Sequence, residues 1–228
     1  MKLSTYGLRE IVILVVVFGA ITAAGVVWYW PVAVAGAIIG IALLLFFRDP
    51  PRPVPDDPHT IVAPADGKVT AVERIEDDTI HRGPVWRISI FLSIFDVHIN
   101  RAPYAARVTD MTHKPGRYVN AMSPKSAVLN ESMTLVLEPE NGLAGPLIVR
   151  AIAGLIARRI VCAARAGDRL ERGQKFGMIK FGSRTDMTLP ADDRVVIETR
   201  VGDKVKAGLS VVARIAPTEE RREDACSA

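Results

Sequence analysis

The sequence predicts a mainly β domain, a barrel or sandwich, preceded by an N-terminal apolar helical hairpin. Three observations predict it. Residues 11–47 carry no charge, and the charged residues crowd into 48–228. Residues 49–58, DPPRPVPDDP, hold five prolines in ten positions. Beyond residue 60, short branched or aromatic runs alternate with Gly, Pro, Asn and Asp, and no long stretch keeps a helical period.

Composition narrows the class. The chain has 228 residues, 49% hydrophobic and 24% charged, which with this segregation excludes a disordered chain and a polytopic transporter. A net charge of +4, with no basic run interleaved with aromatics, argues against nucleic acid as partner and suits an anionic bilayer. Two cysteines, Cys162 in an apolar run and Cys226 in a polar tail, predict free thiols in a reducing compartment.

The first element is residues 1–47. Residues 11–30, IVILVVVFGAITAAGVVWYW, span about 30 Å as a helix, the thickness of a hydrocarbon core. Pro31 follows, then a second apolar run over 32–47, about 24 Å long. Trp28, Tyr29 and Trp30 mark an interfacial belt, so the hairpin is expected to turn at Trp30–Pro31. Lys2, Arg9, Arg48 and Arg52 flank both ends and place them on the cytoplasmic face of a cell membrane. A cleaved signal peptide fits poorly, because the apolar run continues past any cleavage point. A hairpin that only dips into one leaflet stays open.

Residues 48–58 are read as an extended linker and 59–217 as the β domain, with 218–228 a disordered tail. Strands are expected at Trp86–Leu92, Thr134–Leu137, Leu147–Ile152 and Arg194–Thr199. Gly167-Asp168 through Gly173 and Gly202-Asp203 through Gly208 share the pattern G-D-x-[LV]-x-x-G, each leading into an apolar strand. Ala65-Asp66-Gly67-Lys68-Val69 looks like a partial third copy. Such turn–strand units resemble the hairpins of lipoyl- and biotinyl-type barrels, a fold signal that says little about chemistry.

Four histidines were candidates for chemistry. His59, His81 and His113 lie in the linker or in polar turns and read as surface residues. His98 sits between apolar neighbours, as either a core histidine bonded to backbone or a functional one. No Cys or His pair stands at metal-ligand spacing, and there is no glycine-rich phosphate loop or Gly-x-Ser-x-Gly elbow. Gly182-Ser183 is the sole Gly-Ser step. It is expected at a hairpin tip, where it is either a plain turn or a strained site at which a hydroxyl can attack its preceding carbonyl.

Pro64-Ala65-Asp66-Gly67, the run Phe95-Asp96-Val97-His98-Ile99-Asn100-Arg101-Ala102-Pro103, and Gly177 through Arg184 occur in that order. The set resembles the phosphatidylserine decarboxylase proenzymes of the shorter subfamily. Pro115 through Ala121 and Asn130-Glu131 fit the same pattern, and the likeness runs from about Asp49 to Pro217.

The resemblance implies that Ser183 attacks the Gly182 carbonyl and splits the chain into a large β chain, 1–182, and a small α chain, 183–228. Ser183 would become an N-terminal pyruvoyl group, the covalent cofactor. This would form a Schiff base with the amine of phosphatidylserine and release CO2 and phosphatidylethanolamine. His98 is implied as the base and Asp66 as the group that orients it, with His98 also the candidate proton donor. A second histidine that many longer members carry is Arg101 here, which leaves the proton donor open. Phe91, Leu92, Ile94 and Phe95 are expected to divide between the membrane surface and the core. Arg184, Lys114 and Lys125 could meet the lipid phosphate or be solvated charges. An exposed apolar face could pair subunits into a homo-oligomer. Two rival readings remain: a lipoyl-like carrier acylated on Lys180, and a membrane-fusion adaptor without catalysis.

Overall fold

Leu8–Trp28 forms the first helix, α1, because every residue after Glu10 is apolar or small and only Ile11 and Gly25 are buried. With the short turn before it, Thr5–Trp28 is long and apolar enough to cross a membrane, by length and composition. Helix α2, Trp30–Phe46, is shorter and equally apolar. The break falls at Tyr29, which is extended (φ −159°), one residue before the expected turn. Pro31 explains the difference: in the first turn of α2 its missing N–H is no loss, so the helix starts at Trp30. Gly25, Ala33, Gly36 and Gly40 are buried and let the two helices approach closely.

The computed structural model describes residues 2–78, 81, 83–117, 119, 126–140, 143–154, 160–180 and 183–216. Gly182, Lys125, Cys226 and the expected tail lie outside these. The strands are β1 (Thr60–Val62), β2 (Gly67–Asp78), β3 (Gly83–Leu92), β4 (Ile99–Arg101), β5 (Ala106–Lys114), β6 (Ser132–Pro139) and β7 (Leu147–Ile152). Then come β8 (Ile160–Cys162), β9 (Arg169–Leu170), β10 (Lys175–Ile179), β11 (Ser183–Pro190), β12 (Val195–Ile197), β13 (Lys204–Val205) and β14 (Val211–Ile215). Among the described residues the β domain's helix is the single turn α3, Ser126–Leu129. The domain is mainly β, as the sequence predicts.

One curled sheet has the order β13-β2-β3-β11-β7-β6-β5-β9, and two small sheets run β1-β14-β12 and β4-β10-β8. All pairings between these strands are antiparallel. The core lies on one face of the large sheet, filled by Ile88, Ile90 and Leu92 of β3, Leu135 and Leu137 of β6, and Met187 and Leu189 of β11.

The three sheets repeat an internal plan. The large sheet reads the same from either end when β13, β2, β3 and β11 are matched with β9, β5, β6 and β7. The two Gly-Asp turns make the same bonds. Gly202 N–H donates to Val69 O (2.8 Å) and Val69 N–H to Asp203 O (2.9 Å). Gly167 N–H donates to Val108 O (2.7 Å) and Val108 N–H to Asp168 O (2.8 Å). All four glycines of the two turns have φ between 72° and 104°, the region where a side chain is strained. Asp66-Gly67 is not a third copy. It opens β2, the strand on which the second turn docks through Lys204↔Lys68.

The proline-rich linker is extended but tied down. Buried Asp49 accepts from Lys175 Nζ (2.6 Å) and Arg101 (3.3 Å), and Arg172 donates to the carbonyls of Pro55 and Asp57. A segment without its own secondary structure is thus fixed to the barrel by side chains reaching its carbonyls and carboxylates.

Gly67 has φ +148°, and a Cβ there would collide with the Phe91 carbonyl oxygen of the paired strand. We predict that Gly67→Ala destabilises the protein by about 2 kcal/mol or more, a fall of about 4–8 °C in Tm. Thermal melting that matches wild type would show that β2 and β3 separate there at no cost.

Candidate active site

Ser183 is the first residue of β11, opposite Leu92 of β3. It is not at a hairpin tip. Strand β10 pairs with β4 and β8, whereas β11 pairs with β3 and β7. The chain therefore changes sheets between Lys180 and Ser183. Strand alternation puts Ser183 and Thr185 on the same face of β11 as core residues Met187 and Leu189. Ser183 is fully buried, and its Oγ has no hydrogen-bond partner among the described residues. An unpaired buried hydroxyl costs stability and marks a place where chemistry is a better explanation than packing.

His98 is also fully buried. It directly precedes β4, whose Asn100 donates from Nδ2 to Thr185 Oγ1 (3.2 Å), two residues from Ser183. The His98 carbonyl accepts from Ile179 N–H (3.1 Å), just before the sheet change. Its Nδ1 lies 2.9 Å from the Asp96 carbonyl oxygen. A carbonyl only accepts, so Nδ1 carries the proton and Nε2 holds the lone pair. Nε2 is buried and has no partner among the described residues. Burial holds the ring's pKa at about 4, well below its ordinary 6.5, so the ring is neutral near pH 7. Two buried polar atoms, a hydroxyl oxygen and a basic nitrogen, are thus left unpaired among the described residues, and they do not bond each other; Asn100 and Thr185 link their elements (3.2 Å).

Asp66 is buried beside this region, but both its oxygens are engaged elsewhere. Oδ1 accepts from Ala207 N–H (2.8 Å) and Oδ2 from Arg52 (2.7 Å). Burial raises its pKa, opposed by the Ala207 N–H and by Arg52. In this state the partner that orients His98 is the Asp96 carbonyl, and Asp66 instead joins the linker to the second Gly-Asp hairpin. The Asp96 carboxylate accepts from Ser93 N–H (2.8 Å) and Oγ (2.7 Å), closing the tight turn before His98. Arg101 is buried and holds the linker, donating to Gly173 O (3.0 Å), Pro50 O (3.3 Å) and Asp49.

The hairpin base forms a wall of the site. Phe46 lies against the His98 ring, with centroids 4.2 Å apart. Ile11, Phe46 and Phe47 pack with Val97, Ile99 and Met178. Glu10 pairs with Lys180 at 2.6 Å, two residues before Gly182. Sequence reading missed Phe46, Arg52 and Glu10. Phe46 is one apolar residue among many, but Glu10 is the sole carboxylate before Asp49, a signal that it has a partner.

A family profile for phosphatidylserine decarboxylase matches residues 39–213. The chain belongs to the phosphatidylserine decarboxylase family. A phosphatidylserine decarboxylase proenzyme of Rhodopirellula baltica is 42% identical over 210 residues, covering 91% of this chain and 86% of that one. The proenzyme of Pelobacter propionicus is 44% identical over 179 residues (78% and 79%), and that of Symbiobacterium thermophilum 43% over 187 residues (82% and 85%).

Within this decarboxylase fold the other candidate residues sort clearly. His59 and His113 are exposed, His113 bonded to Glu131 (3.1 Å), and His81 meets Pro146 O (2.9 Å). Buried Asn130 donates to the carbonyls of Val119 (2.8 Å) and Ala153 (2.7 Å), stapling its motif to the end of β7. Arg184 is tied to Asp186 (2.6 Å) and Ser89 Oγ (2.9 Å), and Lys114 caps Val128 O (3.1 Å). Of the four apolar residues before His98, Leu92 is buried and Phe91 partly so, while Ile94 (48%) and Phe95 (80%) are exposed. Lys180 is only 6% exposed and ion-paired, which disfavours its use as a carrier lysine. Cys162 is a free thiol.

Because unfolded His98 titrates near 6.5 and folded His98 near 4, the unfolded state binds more protons between those values. Stability is therefore lost as pH falls from 6.5 to 4, by roughly 3 kcal/mol in full. We predict that Phe46→Ala, which admits water to the ring, raises the His98 pKa toward 6.5. NMR titration of the His98 ring protons checks this, and an unmoved midpoint near 4 would remove Phe46 from the account.

Proposed function

We propose that this chain is made as a precursor that cuts itself between Gly182 and Ser183 and then decarboxylates phosphatidylserine at a membrane surface. The observation that carries the reading is the pair of buried, unpartnered atoms, Ser183 Oγ at the start of β11 and His98 Nε2 just before β4, in a chain of this family; Asn100 of β4 bonds Thr185 of β11. The proenzyme name borne by its relatives supports the processing.

In the precursor, His98 Nε2 accepts the Ser183 hydroxyl proton. Ser183 Oγ adds to the Gly182 carbonyl, the amide C–N bond breaks, and the acyl group passes from nitrogen to oxygen as an ester. Removal of the Ser183 Cα proton expels the Gly182 carboxylate and leaves dehydroalanine on the small chain. Water replaces its nitrogen, which departs as ammonia, and residue 183 ends as a pyruvoyl group. That group supplies a conjugated ketone that takes up the electrons freed when CO2 leaves the substrate.

With its tautomer fixed by the Asp96 carbonyl, His98 takes a proton at Nε2 from the substrate's ammonium group, freeing the amine for the Schiff base, and returns that proton to the decarboxylated carbon. The apolar wall of Phe46, Val97 and Met178 keeps the site dry, which favours charge movement within it. Asp66 acts as a positioning residue by holding Arg52 and Ala207 on either side of the entrance. The apolar hairpin tethers the enzyme to the cytoplasmic face of the membrane, where a two-chain lipid substrate resides.

We predict two chains on a denaturing gel, the smaller about 5 kDa by residue count, with a blocked, hydrazine-reactive first residue. Ser183→Ala should leave one uncut, inactive chain, and cut material from that variant would end the scheme. His98→Ala should slow cutting by at least about a hundredfold, as loss of a general base does. Cutting at the wild-type rate would move the base elsewhere.

A further inference from the structure

A groove of about 790 Å³ opens between the hairpin base and the second Gly-Asp hairpin. Its size suits a phospholipid headgroup with the start of its glycerol. Its floor reaches the site: Val97 precedes His98, and Phe91 pairs with Arg184, next to Ser183. Five cationic side chains line it, Arg48, Arg52, Lys68, Lys204 and Lys206, against the carboxylates of Asp66 and Asp96. Those carboxylates are already satisfied, Asp66 by Arg52 and Ala207 and Asp96 by Ser93. Arg48 is spent on the carbonyls of Leu45 and Phe95. Lys68, Lys204 and Lys206 are exposed, and no carboxylate among the described residues pairs with them. Three free ammonium groups thus face one groove from two paired strands, through the Lys204↔Lys68 register.

The groove also has a membrane side. Arg48 lies two residues beyond the end of α2, at the depth where a basic residue after an apolar helix meets headgroups. It bonds the backbone of the loop that exposes Ile94 and Phe95, so these two apolar tips are held at the same level.

We infer that this groove receives the phosphodiester of the lipid substrate, with Lys68, Lys204 and Lys206 holding its negative charge while Ile94 and Phe95 enter the acyl boundary. The phosphate is the group between the buried end of the lipid and the serine amine. Fixing it here leaves the amine pointing down the floor toward residue 183. The three lysines act in substrate binding, separately from the self-cleavage that Ser183 and His98 perform. This inference rests on the decarboxylase reading above.

The test is Lys68→Ala/Lys204→Ala/Lys206→Ala in the full chain, with Lys→Arg at all three positions as the charge-preserving control. CO2 release is measured from dihexanoyl phosphatidylserine as dissolved monomers and from phosphatidylcholine vesicles holding phosphatidylserine. The expected result is complete self-cleavage, with KM raised about tenfold or more for both substrates, equivalent to about 1.4 kcal/mol or more. The Arg variant should stay close to wild type. An unchanged KM for the monomers overturns the inference, including the case where only the vesicle KM rises, which would make the lysines a general attraction to anionic surfaces. A triple variant that fails to cut itself overturns it too, by assigning the lysines to processing. Wild-type enzyme that releases no CO2 from either substrate would instead refute the decarboxylase reading itself.

Discussion

The site depends on the burial of the His98 ring beneath Phe46. Desolvation keeps the imidazole neutral, and the Asp96 carbonyl decides which nitrogen holds the lone pair. Neither effect alone would make a base: a solvated ring would share its lone pair with water, and a buried ring with both nitrogens bonded would be inert. Together they leave Nε2 buried and unpaired among the described residues, as the Ser183 hydroxyl also is. The cost of burying two unsatisfied polar atoms is met by the surrounding apolar packing, which is continuous from the hairpin base into the barrel.

That continuity changes the meaning of the N-terminal segment. A tether needs only to be apolar. This hairpin also supplies Phe46 to the site wall and Glu10 to Lys180, and the linker after it is held by Arg101, Lys175 and Arg172. Arg101, three residues after His98, is a structural cation buried against Asp49.

The repeated plan of the large sheet frames where the proposed cleavage position lies. Matching Gly-Asp hairpins cap the two ends of the large sheet, and β11 and β7 meet at its centre. The chain must leave the small sheet of β10 and enter β11 between Lys180 and Ser183. Ser183, the proposed nucleophile, is the first residue of β11 and pairs with β3, while Arg184 after it pairs with both β3 and β7.

Much of this was legible in the residues themselves. Hydropathy segregation fixed the helical hairpin because membrane-length apolar runs have few other uses. The short punctuated runs fixed the strands, and the two Gly-Asp turns were visible because only glycine tolerates their backbone. The motifs around Asp66, His98 and Ser183 identified the family. Other features were decided only by tertiary contact. Asp66 bonds Arg52 and Ala207 rather than His98, and Phe46, far off along the chain, packs against the histidine ring. Ser183 sits at a sheet change rather than a hairpin tip, and the extended linker is clamped to the barrel. Local pattern reports which residues are buried and which turns are possible, since those follow from each residue's own side chain. It cannot report which of many equivalent apolar or charged groups, distant along the chain, will meet, because that choice is made by the packing of the whole fold.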